Sequence, residues 1–82
     1  MRVLGTIPHP RFKIVAYTLE NQFYVEIEAG PMKQCHKLHK EQAKNLEGIR
    51  QWLDETFLDE TYQLFERMYT ASQDSVKRHF KH

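Results

Sequence analysis

The chain has 82 residues, 40% of them hydrophobic and 28% charged, and its formal net charge is +1 at pH 7. This length suits one domain with a modest core, and the hydrophobic fraction excludes wholesale disorder. No apolar run approaches the roughly 20 residues of a membrane-spanning helix, and the N-terminus lacks the apolar core of a signal peptide, so we expect a soluble, cytoplasmic protein.

The charges are distributed unevenly along the chain. Residues 1–40 contain six Lys or Arg and three Glu, residues 54–66 contain five acids and no base, and residues 67–82 contain four bases and one acid. Acids near the start of a helix and bases near its end complement the helix dipole. The last two blocks therefore indicate a C-terminal helix more than an acidic binding patch.

The first predicted strand covers Arg2 to Ile7, with odd-numbered residues on one side and even-numbered residues on the other. The segment Pro8-His9-Pro10 must then form a turn, because proline fixes φ and cannot donate a backbone hydrogen bond.

The segment from Arg11 to Ala29 predicts the β-hairpin around which the chain is organised. Side chains two apart share a face of a strand. With a two-residue turn at Asn21-Gln22, Ala16 lies opposite Ile27, although Gln suits the second turn position poorly and a longer loop is the alternative. One face is then apolar along both strands and forms the predicted core face. It carries Phe12, Ile14, Ala16, Thr18, Phe23, Val25, Ile27 and Ala29.

The second face of the hairpin is the candidate interface. Besides Lys13 and two glutamates it carries four large apolar or aromatic side chains, Val15, Tyr17, Leu19 and Tyr24. A sheet with one face on helices usually keeps the other face polar, and an exposed apolar patch usually marks a partner site. We expect this face to bind a second copy of the chain, the commonest assembly, or another protein. The alternative is that the N-terminus or a helix covers it.

The segment from Met32 to Leu38 follows a break at Gly30-Pro31 and predicts an edge strand, where lysines discourage unwanted pairing. Beyond His39 apolar residues recur at helical spacing, which predicts a helix, although Gly48 costs about 1 kcal/mol relative to alanine. A second helix is predicted from Thr56, with Asp59 three residues later as a capping box. Whether it is continuous past Ser72 stays open, and the last few residues are expected to fray.

These elements predict a single α+β domain over residues 1–82. A three- or four-stranded antiparallel β-meander (residues 1–39) precedes two C-terminal helices (residues 40–82) that pack on one face of the sheet. Residues from both halves form the predicted core. They are Phe12, Ile14, Ala16, Val25 and Ile27 against Leu46, Ile49, Leu53, Leu58, Tyr62, Phe65 and Tyr69.

Cys35, His36, His39 and His9 are the residues whose types best suit a metal or thiol site. On a strand Cys35 and His39 share a face while His36 points away, and whether the four converge in space stays open. No second pair of ligands completes a zinc set, no glycine-rich phosphate loop is present, and the single cysteine allows no intramolecular disulfide. We therefore expect no metal, no cofactor, no catalytic residues and no enzymatic activity.

Weak binding of single-stranded nucleic acid is the alternative function. Six bases lie in the sheet half, and Tyr17 and Tyr24 offer rings on which bases stack. Against it, Glu26 and Glu28 lie on the same face, and the small net charge attracts phosphate weakly.

The stretch Thr6-Ile-Pro-His-Pro-Arg-Phe-Lys-Ile14, followed by a short meander and an acidic-to-basic helical half, resembles small uncharacterised bacterial single-domain proteins. The resemblance covers most of the chain through one short motif. It implies no activity, cofactor or ligand residue.

Overall fold

The computed structural model describes residues 1–80. Four strands form one antiparallel sheet in the order β1-β2-β3-β4, so each strand pairs with the next along the chain. They are β1 (Arg2–Ile7), β2 (Lys13–Leu19), β3 (Gln22–Ala29) and β4 (Met32–His39). Three helices follow, α1 (Lys40–Ala43), α2 (Leu46–Trp52) and α3 (Glu55–His79). The predicted α+β fold is confirmed, with four strands in the meander.

The turn between β2 and β3 lies at Glu20-Asn21, one residue earlier than predicted. Ala16 pairs with Val25 instead of Ile27, so the predicted register was wrong by two residues. Glu20, the first residue of this turn, has a positive φ of 48°. A shift of two residues leaves every side chain on its face, so the predicted core face is retained.

Strand β1 contains a bulge that breaks the predicted alternation. Gly5 pairs with Ala16 on the core face, whereas Val3 pairs with Tyr17 on the opposite face. The register shifts between Val3 and Gly5, which makes Leu4 the extra residue. A bulge adds one residue to one strand of a pair and reverses the side on which the residues beyond it lie.

The core lies between the predicted sheet face and the helices. Six of the eight predicted face residues are buried, and Thr18 and Ala29 are half-buried. From the helices, Ile49, Leu53 and Leu58 are buried as predicted. The hydrophobic cluster that these residues form is the only one described for residues 1–80.

Three helix residues depart from the predicted core. Tyr62 and Tyr69 are exposed, and Thr61 is buried in their place. The hydroxyl of Thr61 donates to the carbonyl oxygen of Phe57 at 3.0 Å, which satisfies its polar group inside the core. The prediction failed at Tyr69 because this residue lies at the end of the sheet, over a hollow that it lines with Ala29 and Met32.

The one helix predicted between residues 40 and 53 is divided into α1 and α2. Lys44 has a positive φ of 70°, and the side chain of Asn45 accepts a hydrogen bond from the backbone nitrogen of Gly48 at 2.9 Å. Asparagine is a preferred N-cap, so α2 starts afresh after it. Gly48 is required here, because a β-carbon at this position would overlap the carbonyl oxygen of Ala43.

Helix α3 is capped by Asp54, and the predicted capping box at Thr56 and Asp59 was wrong. The Asp54 side chain accepts from the backbone nitrogen of Phe57 at 2.8 Å. Asp59 instead binds Arg11 at 2.8 Å, which ties the helix to the loop between β1 and β2. The helix continues past Ser72 to His79. Of the residues His79 to His82 that were expected to fray, His79 lies in the helix, Phe80 is its C-cap, and residues 81 and 82 lie outside the described part.

The distal half of α3 (residues 66–79) contains no buried residue, and its last turns extend beyond the sheet. Phe65 is the last buried residue of the helix. A helix of 25 residues is about 37 Å long, whereas an eight-residue strand spans about 26 Å, so α3 is longer than the sheet that it crosses. Neither α3 nor another helix of residues 1–80 is long and apolar enough to cross a membrane.

We expect Ile27→Ala to lower the free energy of unfolding by about 2–5 kcal/mol. Ile27 is fully buried and pairs with Ile14 at the centre of the sheet, so its truncation leaves a cavity in the core. Val3→Ala is the control, because Val3 is 64% exposed and its truncation should cost about 0.5 kcal/mol or less. Urea unfolding measures both, and a midpoint for Ile27→Ala equal to that of wild type would contradict the structure.

Candidate functional site

The sheet face opposite the helices, here called the open face, carries all four predicted interface residues. Val15, Tyr17 and Leu19 project from β2, and Tyr24 projects from β3. Tyr17 and Tyr24 pair directly, with ring centroids 5.9 Å apart. Val15 and the tyrosines are half-buried and Leu19 is exposed, whereas the helix residues of the core pack against the other face.

Val3 enlarges the apolar part of the open face, and the sequence analysis missed it. The bulge at Leu4 turns Val3 to the side of Tyr17, its partner across β1 and β2. Directly paired residues of adjacent strands lie side by side on one face. Gly5 was the available signal, because an isolated glycine in a strand often marks a bulge.

The polar groups of the open face are paired with one another around Glu26. The hydroxyl of Tyr17 donates to Oε1 of Glu26 at 3.3 Å, and Nζ of Lys33 lies 3.3 Å from Oε2. Desolvation, with a smaller contribution from Glu26, raises the pKa of Tyr17. The hydrogen bond and charge of Glu26 raise the pKa of Lys33. The phenol of Tyr17 therefore stays neutral. The charges of Glu26 and Lys33 offset each other, so this part of the open face is nearly neutral.

Tyr24 has a different neighbour on the same face. A hydrogen bond with the Cys35 side chain, and to a smaller extent desolvation, raises the pKa of Tyr24. Cys35 lies opposite Glu26 on β4 and is exposed. The only thiol of the chain thus lies on the open face, beside one of its two tyrosines.

Two lysines of the open face, Lys13 and Lys33, lie opposite acids, whereas Lys37 lies opposite Tyr24. Lys13 pairs with Glu28, Glu28 pairs with Lys33 across the next strand, and Lys33 binds Glu26. Phosphate binding depends on cationic groups that displace counterions. This arrangement weakens the case for a nucleic-acid site at Lys13 and Lys33, where a phosphate would compete with carboxylates already in place.

His36 lies on the core face in a cluster of aromatic rings. Its ring centroid is 5.2 Å from that of Trp52 and 5.4 Å from that of Phe57. Its Nε2 donates to Oε1 of Gln34 at 2.8 Å. Burial lowers the pKa of His36, which favours the neutral ring that this environment requires. His36 is a packing residue of the core edge.

The four residues considered for a metal or thiol site are dispersed. Cys35 and His36 lie on opposite faces of β4, His39 is four residues beyond Cys35, and His9 contacts Phe12 from the loop after β1. No group of three or more His, Cys, Asp or Glu side chains within residues 1–80 is placed to hold a metal ion. Cys35 and His36 point apart, so they do not form a thiol–imidazole pair.

Two of the hollows described for residues 1–80 bear on the site, one at the edge of the open face and one away from it. The larger, of about 760 Å³, lies where the β2–β3 turn meets the start of α1, and Leu19 is its only hydrophobic residue. Ligand pockets are usually lined mainly by apolar groups, so this hollow is a poor candidate. The smaller, of about 330 Å³, lies between the β3–β4 turn and α3. It is lined by Ala29, Pro31, Met32, Tyr62, Phe65, Glu66, Tyr69 and Thr70.

Comparison with protein-family models, with curated proteins and with solved structures finds no match for this chain. The resemblance of Thr6 to Ile14 to small bacterial proteins stays an expectation from the sequence. The open face is therefore the basis for inferring function.

We expect acid to destabilise the protein partly through His36. Because burial lowers the pKa of His36, the folded state binds fewer protons than the unfolded state once the pH falls below about 6.5. Stability from the neutral ring is therefore present above that pH and is lost as the pH falls through the folded-state pKa. Thermal unfolding between about pH 7 and pH 5 should show a smaller loss for His36→Phe, which keeps a ring but does not titrate.

His79→Gln is the matched control, because His79 is exposed in the last turn of α3. This variant should keep the wild-type dependence of stability on pH. An equal loss of thermal stability between about pH 7 and pH 5 in His36→Phe and wild type would show that protonation of His36 contributes nothing to the destabilisation by acid.

Proposed function

We propose that this chain is a non-enzymatic protein–protein interaction module that self-associates through its open face. The observation that carries the proposal is the row of Val3, Tyr17 and Tyr24 across three strands, with Val15 and Leu19 beside it. Tyrosines suit interfaces because they bury a large ring while the hydroxyl keeps a polar partner, here Glu26 for Tyr17.

The dimensions of the open face bear on how it is used. Four strands spaced about 4.8 Å apart and about seven residues long give a face of roughly 20 by 25 Å. A stable interface buries on the order of 800 Å² per subunit. Nearly the whole open face must therefore be covered, and the pairs that Lys13 and Lys33 make with acids would fix the register of two copies more than their affinity.

The dispersal of Cys35 and His36 to opposite faces supports the proposal of a non-enzymatic role, because nucleophilic catalysis needs a base within reach of the nucleophile. We also propose a cytoplasmic location, which fits a chain whose one thiol is free and exposed. Cell fractionation that recovers the protein from an oxidising compartment would contradict the location.

Weak binding of single-stranded nucleic acid is the alternative proposal, and stacking on Tyr17 and Tyr24 is the feature that favours it. We expect such binding to disappear at physiological salt, because two of the open-face lysines, Lys13 and Lys33, already face acids. Sub-micromolar binding at that salt, lost in Tyr24→Ala, would place this alternative first.

We expect Tyr17→Glu to weaken self-association through the open face by about 30-fold or more. The substitution puts a carboxylate beside Glu26 and buries it without a partner when two faces meet. Sedimentation equilibrium across the micromolar to millimolar range measures the change in average mass.

Gln51→Glu is the matched control, because it adds the same charge at an exposed position of α2. This variant should keep the mass of wild type at each concentration. A mass for Tyr17→Glu that also equals wild type would contradict self-association through the open face, as would a wild type that is monomeric at high micromolar concentration.

A further inference from the structure

A second apolar surface runs along α3 and is unrelated to the open face. We call it the outer stripe; it consists of Leu64, Met68, Ala71 and Ser75. The outer stripe continues the helical spacing of Phe57 and Thr61, two earlier α3 residues that pack within the domain. Phe57 packs on Trp52 with ring centroids 4.8 Å apart, and Thr61 is buried.

The outer stripe is uncovered from Leu64 onward, beside the part of α3 that still packs on the sheet. Leu64 is 43% exposed, Met68 is 39% exposed and Ala71 is exposed, although the same 4-3-4 spacing is maintained. Spacing that alternates between three and four residues is the pattern by which one helix packs along another. The spacing of the outer stripe therefore suits a helix as its partner better than a flat surface.

Side-chain size along the outer stripe is complementary to itself in the antiparallel direction. The two large residues, Leu64 and Met68, come first and the two small residues, Ala71 and Ser75, follow. When two stripes run antiparallel about a two-fold axis between residues 69 and 70, Leu64 meets Ser75 and Met68 meets Ala71. Large residues then pack on small ones in every layer, as close helix packing requires.

Charge along α3 is complementary in the same sense. Residues 54–66 contain five acids and no base, whereas residues 67–79 contain Arg67, Lys77 and Arg78 with Asp74 as their one acid. In the antiparallel arrangement Arg67 of one copy flanks Asp74 of the other, and the pair occurs twice by symmetry. Glu60 likewise approaches Arg78 of the other copy. A parallel pair would place acid against acid and base against base.

We propose that two copies of this chain bind through the outer stripe as an antiparallel pair of α3 helices. The contact does not depend on the open face and uses a different two-fold axis. A chain with both interfaces forms an assembly larger than a dimer, and loss of either interface leaves a dimer.

The test is a charge exchange in the Tyr17→Glu background, in which the open face no longer associates. Arg67 and Asp74 lie seven residues and about 10 Å apart along one helix, so they do not pair within a chain. Sedimentation equilibrium should find a dimer for the background. Arg67→Asp or Asp74→Arg, added singly, should weaken it about tenfold by creating two like-charged pairs. The two together should return the dissociation constant to within about threefold of the background.

Two further variants separate this contact from the open face. Met68→Glu in otherwise wild-type protein should reduce the mass, and Gln51→Glu, which adds the same charge at an exposed position of α2, should not. A monomeric Tyr17→Glu background at millimolar concentration, or no restoration in the exchanged pair, would overturn the helix pairing and leave the open-face proposal standing. A mass unaffected by Tyr17→Glu but reduced by Met68→Glu would overturn the open-face proposal alone.

Discussion

The structure depends on one constraint: a single sheet has two faces, and the helices of this chain supply the core residues for only one of them. Burial of Ile14, Val25 and Ile27 against Ile49 and the first half of α3 forms the only hydrophobic cluster described in residues 1–80. A domain of this size buries only about 60% of its unfolded surface, so it has no second core to cover the other face. The proposed function follows from what that uncovered face carries.

The two faces of the sheet could be predicted even though the predicted register of the hairpin was wrong. The register of the hairpin was wrong by two residues, but a shift of two returns every side chain to the same face, so all eight core-face residues were assigned to the correct side. The side of Val3 could not be obtained this way, because a bulge reverses it and only Gly5 marks that bulge. The four residues of the candidate interface were placed correctly, and the fifth was missed.

The helical half was harder to predict because its boundaries depend on contacts that periodicity does not encode. The division between α1 and α2 rests on the Asn45 cap and on the close approach of Gly48 to Ala43. Along α3 the apolar pattern continues unchanged past Phe65, the last buried residue of the helix. An amphipathic pattern shows which side of a helix is apolar, but the extent of the partner decides how much of that side is buried. Tyr69 was therefore assigned to the core, and it is exposed.

The chain contains its own probe for the central claim, which is that a second copy covers the open face. Cys35 is its only cysteine, and the thiol is exposed on that face opposite Glu26. The measurement is the rate constant for modification of this thiol by a maleimide, over protein concentrations from low micromolar to millimolar. If copies meet through the open face, the rate constant falls as the concentration rises and returns to its initial value in Tyr17→Glu. A rate constant that is the same at every concentration would contradict the account.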